Sequence, residues 1–177
     1  MARRGLTVLE EAEARIVFAD GILYHRVHIV ENAGWTNALP QVHGRFAGDP
    51  PPIADNAIAL GHHIYFPRQL HTSAESLAAN ELGDLAWLIH ELAHVWQAER
   101  IGARYLVQAL WNHLNSKGRV YDFGGEPAIV AAIEAGQNLA AFSIEQQAEI
   151  AREYCIRRRL GMDTHAWEPL VTAFRAR

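Results

Sequence analysis

Hydrophobic residues recur every three or four positions in residues 81–100, which gives the clearest helical pattern in the chain. The apolar stripe consists of Leu82, Leu85, Ile89, Leu92 and Trp96. This spacing predicts a long amphipathic helix. Gly102 follows directly and is a typical residue to end it.

Helix-capping patterns mark two further helices. The sequences Thr-x-x-Glu at residues 7–10 and Ser-x-x-Gln at 143–146 are capping boxes, which predict helix N-termini. Hydrophobic spacing extends the first helix over 6–18 and the second to about Leu160, where Gly161 follows. Shorter helices are expected over 103–115, over 127–135 with Pro127 in its first turn, and from Asp163 or Thr164 onward.

Extended segments are confined to the N-terminal half. A strand is predicted around Val27–Glu31, and two short apolar runs, 57–60 and 63–66, are separated by Gly61. These runs can pair as a hairpin or lie beside the first strand. Residues 32–55 contain many Pro and Gly residues and are interpreted as a long functional or mobile loop. The fold class is therefore α+β, mostly helical, with a small N-terminal sheet, in a single domain over 1–177.

Composition excludes several classes of protein. Half of the 177 residues are hydrophobic and the net charge is −4, so a globular chain without a nucleic-acid or membrane partner is expected. The single cysteine, Cys155, excludes an internal disulfide and a cysteine-based zinc finger. No apolar N-terminal run and no stretch of 18 apolar residues is present, so we expect no ordinary signal peptide, no transmembrane helix and a cytoplasmic location.

The predicted central helix contains the motif His90-Glu91-Leu92-Ala93-His94. Residues four apart lie one turn apart on the same helix face, so both imidazoles can bind one metal ion. Glu91 lies about 100° further round the helix than His90. This position does not suit a third ligand, but it suits a general base that takes a proton from a metal-bound water. One Zn²⁺ ion is the predicted cofactor.

The two histidines leave this helix on a different side from the apolar stripe. With Ile89 at zero, the stripe spans about −60° to +20°, whereas His90 and His94 lie near about +100° and +140°. The helix is therefore expected to be buried on one face and to line a cleft with another.

A catalytic zinc ion needs a third protein ligand besides the two histidines. The class with a third histidine in H-E-x-x-H-x-x-G-x-x-H is excluded, because Gln97 and Arg100 occupy its last two fixed positions. The remaining candidates are the later glutamates, Glu99, Glu126, Glu134, Glu145, Glu149, Glu153 and Glu168. Glu145 is favoured because it and Glu149 share one face of a helix, so that one can bind the metal while the other accepts a hydrogen bond from a ligand histidine. Glu149 is the alternative ligand.

Three other side chains are candidate donors to an oxyanion that forms during hydrolysis, namely His113, Tyr121 and Tyr154. The pair His62-His63 is interpreted as turn and strand residues rather than as a second metal site, because neighbours on a strand point to opposite faces.

The motif His90–His94, together with Glu145-Gln146-Gln147-Ala148-Glu149, resembles the gluzincin-type metallopeptidases, in which a glutamate of an E-x-x-x-D/E pattern completes the site. Glu149 stands where many gluzincins have aspartate. More closely, the chain resembles the small bacterial Vgr-related proteins, which are similar to a metallopeptidase domain of type VI and contractile-injection secretion loci. The segments that carry this likeness are Leu6–Asp20, Tyr24–Val27, Asn56–Ile58 and Ile64–Pro67.

This resemblance implies a zincin-like fold and a link to secretion. The leading hypothesis is a zinc metallopeptidase that hydrolyses peptide bonds of a peptide or protein substrate, with zinc on His90, His94 and Glu145 and with Glu91 as general base. The alternative is a non-catalytic, zinc-stabilised binding or assembly module with a secretion-apparatus partner. A third reading is an inhibited peptidase whose cleft is covered by loop 32–55. Export by a non-classical secretion system is an expectation from the same resemblance.

Overall fold

The structure, a computed structural model, describes residues 2–37, 55–102 and 121–176. Most of the predicted loop 32–55, the predicted helix 103–115 and His113 lie outside the described residues. Within the described part, the secondary structure is α+β and mostly helical, as the sequence predicts.

The N-terminal half contains all the described strands. In chain order its elements are β1 (Ala2–Arg4), α1 (Val8–Phe18), a 3-10 helix (Tyr24–Arg26), β2 (His28–Glu31), a second 3-10 helix (Gly34–Asn37), β3 (Ile58–Leu60) and β4 (His63–Tyr65). The C-terminal part is helical, with α2 (Ala74–Ala78), α3 (Gly83–Ile101), α4 (Gly125–Glu134), a 3-10 helix (Leu139–Ala141), α5 (Ile144–Arg159) and α6 (Glu168–Arg175).

The four strands form one mixed sheet in the order β1-β2-β4-β3. Strands β3 and β4 pair as an antiparallel hairpin, and β4 also lies parallel to β2 with Ile29 opposite Ile64. The two short runs therefore pair as a hairpin and also lie beside the first predicted strand, so both arrangements expected from the sequence are present. Ile29, Ile64 and Ala59 are buried on the same face of the sheet, and β3 and β4 contact α3.

Two helix starts have the cap geometry that the sequence predicts. The Thr7 hydroxyl accepts from the Glu10 amide while the Glu10 carboxylate accepts from the Thr7 amide, which completes a capping box. Ser143 and Gln146 do the same at the start of α5. Because α5 carries Glu145 in its first turn, this cap fixes where that carboxylate leaves the helix.

Helix α3 is more deeply buried than its hydrophobic pattern predicts. Every residue from Leu88 to Gln97 is buried, including both motif histidines and Glu91. The expectation of one core face and one cleft-lining face was wrong in this respect, because α5 packs on the histidine side of α3. The contact between α3 and α5 is the most extensive between any two described elements.

The structure differs from the sequence prediction at several element ends. Strand β1 and the short helix α2 were not predicted, since three residues with two arginines and a five-residue helix carry little hydrophobic pattern. Helix α4 begins two residues earlier than expected. Helix α6 begins only at Glu168, because residues after Asp163 form a turn in which the Trp167 amide donates to the Thr164 carbonyl. In the described residues, no helix is long and apolar enough to span a membrane.

Candidate metal centre

Helix α3 brings the two motif histidines into direct contact. Their ring centroids are 4.9 Å apart with planes at 84°, and the two Nε2 atoms are 3.2 Å apart. This geometry follows from the four-residue spacing, which places both side chains on one helix face. Both imidazoles are buried, so few water molecules compete with them for a metal ion.

Glu145 completes this cluster from the first turn of α5. Its Oε2 atom is 3.5 Å from Nε2 of His90 and 3.4 Å from Nε2 of His94. The residues are 51 or more positions apart in sequence, so only the packing of α5 against α3 brings them together. His90, His94 and Glu145 form the one group of three potential ligand residues found within the described parts of the chain.

The distances within this group fit a small tetrahedral ion. Ligand atoms at about 2.0–2.1 Å from a tetrahedral zinc ion lie about 3.3 Å from one another. The three separations, 3.2, 3.4 and 3.5 Å, are close to that value. The cluster could therefore hold a divalent metal ion with little rearrangement.

Glu149 lies behind His90 rather than beside the other ligand atoms. Its Oε1 atom is 2.9 Å from Nδ1 of His90, and its other oxygen contacts Arg152. A carboxylate can only accept a hydrogen bond, so Nδ1 of His90 donates and Nε2 is the atom that faces Glu145. In the described contacts Glu145 lies beside both Nε2 atoms, whereas Glu149 lies beside Nδ1 of His90.

Gln97 supports the second histidine in the same way, and the sequence reasoning missed it. Its Oε1 atom is 2.9 Å from Nδ1 of His94. Its Nε2 atom donates to the carbonyl of Ile144 at 2.8 Å and to Gln147 at 3.0 Å. The available signal was its position three residues after His94, which places both on one face of α3.

Neighbouring carboxylates favour a protonated His90. Burial opposes a charged imidazole, yet hydrogen bonds to Glu145 and Glu149 raise the pKa of His90 to about 10. Burial likewise favours a neutral Glu145, but hydrogen bonds with His90 and His94 hold the pKa of this carboxyl well below its usual range. A metal ligand must be a neutral imidazole, so protonation of His90 would compete with metal binding.

Glu91 is buried beside the cluster. Burial raises the pKa of its carboxyl, and the neighbouring imidazoles His94 and His90 partly oppose that rise. A raised carboxyl pKa makes the group a better proton acceptor than an ordinary surface glutamate.

Of the three candidate oxyanion donors, Tyr121 lies near the histidines. Its ring centroid is 6.0 Å from that of His90. Burial and the nearby carboxylates of Glu145, Glu91 and Glu149 raise the pKa of its phenol, so the hydroxyl stays protonated and can donate.

Tyr154 is engaged elsewhere in the fold. Its hydroxyl donates to Glu168 at 2.6 Å and accepts from Arg175 at 2.9 Å, so these contacts direct it toward α6 rather than toward the histidines. His113 lies outside the described residues.

The fold and this cluster together describe a mostly helical α+β protein whose motif helix could bind a metal ion through two histidines and one glutamate. Over 155 residues, the chain is 28% identical to the type VI secretion system spike protein VgrG2b of Pseudomonas aeruginosa. The similarity covers 86% of this chain but 13% of that protein, so the chain corresponds to a small part of its relative. No family model matches the chain, and no solved structure matches it at a significant level.

Proposed function

We propose that the chain is a zinc-dependent peptidase in which His90, His94 and Glu145 hold the ion and Glu91 is the general base. The observation that carries this proposal is the convergence of three ligand atoms at 3.2–3.5 Å from one another beside a buried glutamate. Two histidines and one glutamate, with a position left for water, are a ligand set of catalytic zinc sites in peptidases.

Each side chain has a distinct role in this proposal. A bound zinc ion supplies a Lewis acid that polarises a carbonyl group and makes water acidic. Glu91 takes the proton of the attacking water and returns it to the leaving amine. Tyr121 donates a hydrogen bond to the oxygen of the attacked carbonyl, and Glu149 keeps Nδ1 of His90 protonated.

The proposal is tested first by metal analysis of the purified protein and then by Glu91→Gln. The variant should retain one zinc ion per chain, because Glu91 is not a ligand, and should lose hydrolysis of a broad peptide library by about 10²–10⁴-fold, the usual effect of removing a general base. Glu134→Gln is a matched control, since this exposed glutamate lies on α4 and should leave both measurements unchanged.

Two results would contradict the peptidase proposal. If Glu91→Gln cleaves the library as fast as the unchanged protein, Glu91 is not the base. If the protein holds iron instead of zinc, the same two-histidine, one-carboxylate set indicates oxygen chemistry rather than hydrolysis.

The similarity to a secretion-system spike protein favours a second candidate, a zinc-stabilised binding or assembly module whose partner is a secretion-apparatus protein. Such a module needs no free coordination position. Structural zinc sites have four protein ligands, whereas three ligand residues converge in the part of the chain described here. Stoichiometric zinc, no cleavage of any peptide and collapse of the fold on chelation would favour the module over the peptidase. Export with the secretion apparatus belongs to the same proposal.

A further inference from the structure

Gln97 links one histidine of the metal cluster to the start of the helix that carries the third ligand. It lies on α3, one turn after His94, and its amide reaches across to α5. Its oxygen is 2.9 Å from Nδ1 of His94, and its nitrogen is 2.8 Å from the carbonyl oxygen of Ile144. Ile144 directly precedes Glu145, so one side chain joins His94 to the backbone next to Glu145.

The carbonyl of Ile144 fixes which way this amide points. A carbonyl oxygen can only accept a hydrogen bond, so the amide nitrogen of Gln97 must face Ile144 and the amide oxygen must face His94. That oxygen is itself only an acceptor, so Nδ1 of His94 must carry a proton. The lone pair of a neutral His94 is then on Nε2, the atom that lies 3.4 Å from Glu145.

We propose that Gln97 is a positioning residue that holds His94 in its Nδ1–H tautomer and fixes this ligand relative to the helix start that bears Glu145. The inference rests on the proposed metal centre and deepens it. An imidazole without such a partner divides its proton between two nitrogens, and only one of the two tautomers presents Nε2 to an ion. Groups that orient ligand histidines in this way typically change metal affinity by about 10–100-fold when they are removed.

The tautomer is measured directly in the metal-free protein. In ¹⁵N-histidine-labelled chain, two-bond proton–nitrogen correlation spectra distinguish Nδ1–H from Nε2–H for each assigned ring. The expected result is a proton on Nδ1 of His94. A His94 ring without a proton on Nδ1 overturns the inference without any variant.

Three variants separate positioning from packing. Gln97→Leu removes both hydrogen bonds and should weaken zinc binding by about 10–100-fold in chelator competition, with loss of the Nδ1–H signal. Gln97→Glu keeps an oxygen acceptor for His94 but loses the donor to Ile144, so it should restore the Nδ1–H signal and part of the affinity. Gln147→Leu is the comparison variant, because it removes hydrogen bonds at the same helix junction, to Gln97 and to the carbonyls of Leu139 and Phe142, while the contact between Gln97 and His94 remains.

The outcomes distinguish this inference from the proposed function. If Gln97→Leu and Gln147→Leu lose equal stability and both bind zinc as tightly as the unchanged chain, Gln97 only packs α3 on α5 and the inference fails. If the unchanged chain binds no zinc, the proposed metal centre fails, and the tautomer spectrum alone then decides the role of Gln97. If Gln97→Leu does not fold, the spectrum of the unchanged chain and the affinity of Gln97→Glu still decide it.

Discussion

Single atoms decide what the two motif histidines can do. Each ring has one nitrogen that faces a protein acceptor and one that faces the cluster. Nδ1 of His90 meets Glu149, Nδ1 of His94 meets Gln97, and both Nε2 atoms lie near Glu145. The contacts at Nδ1 therefore determine which nitrogen of each ring is available to a metal ion. The four-residue spacing in α3 determines where that nitrogen lies.

Gly21 shows how closely the backbone packs between α1 and α6. A Cβ atom at this position would lie 1.9 Å from the carbonyl oxygen of Phe174 and 2.8 Å from that of Phe18. These are backbone atoms of α6 and α1, respectively, and they cannot move without their helices. We therefore expect Gly21→Ala to lower the free energy of unfolding by about 1–3 kcal/mol or more, as measured by urea denaturation.

Gly83 provides the control for this prediction. It is the first residue of α3, and a Cβ atom there would meet nothing within 4 Å. Gly83→Ala should be neutral or should raise the free energy of unfolding by about 0.4–1 kcal/mol, because it restricts the unfolded chain. Equal losses in both variants would show that steric overlap at Gly21 is not the cause.

At the scale of elements, a buried polar network joins the N-terminal strand to its neighbours. Arg4 on β1 donates to Glu10 on α1 and to Glu31 on β2. Glu10 also accepts from the hydroxyl of Thr72, and Glu31 accepts from the amide of Leu70. This network explains why a three-residue strand without a hydrophobic pattern is nevertheless paired with β2.

The same network predicts how stability depends on pH. Burial disfavours a charged Glu10, yet hydrogen bonds from Arg4, Thr7 and Thr72 hold the pKa of its carboxyl below its ordinary value of 4.5. A carboxyl with a lowered pKa stabilises the fold above its unfolded-state value, and this stabilisation is lost as the pH falls through the folded-state value. Glu10→Gln should therefore be less stable at pH 7 by about 1.5–3 kcal/mol, and the difference should shrink below about pH 4.5.

Urea unfolding between pH 3 and pH 7 measures this difference. Glu11→Gln is the matched control. Glu11, the neighbour of Glu10, pairs with Arg15 at the surface, and such pairs contribute about 1 kcal/mol or less. A Glu10→Gln deficit that stays constant down to pH 3 would show that the charge of Glu10 does not stabilise the network.

At the scale of the whole molecule, the hydrophobic core is built from apolar side chains and does not include the proposed metal ligands. Large side chains from every major helix and from the sheet are fully buried, among them Phe18, Ile29, Leu88, Trp167 and Phe174. These residues belong to one cluster of buried apolar side chains. The chain is therefore expected to stay folded without metal.

Zinc should stabilise this folded chain by mass action. At a free zinc concentration of 100 times Kd the gain is about 2.7 kcal/mol, which corresponds to a rise in Tm of about 5–10 °C for a chain of this size. Chelation should reverse the rise and leave the far-ultraviolet circular dichroism spectrum of a folded protein. Complete unfolding on chelation would contradict this prediction and favour the zinc-stabilised module.

The sequence predicts the relative position of the two histidines, but it does not predict most of the side chains that contact them. The spacing of His90 and His94 within one helix already fixed their common face, and the capping box at Ser143 indicated that Glu145 begins a helix. Gln97 was overlooked because its importance comes from Ile144, a contact across 47 positions of sequence. Tyr121 and Tyr154 were equivalent candidates in the sequence, yet only Tyr121 has a described contact with a motif histidine.

The amino-acid sequence by itself determined the helices with strong periodicity, their caps and the pairing of His90 with His94, because these depend on hydrogen bonds and side-chain spacing within one continuous segment. Only the tertiary structure decided the depth at which α3 is buried, the approach of Glu145 to both histidines and the hydrogen-bond partner of each Nδ1 atom. Those features depend on how α5 packs against α3, and the free energy of that packing is spread over many side chains of both helices rather than encoded in any one motif.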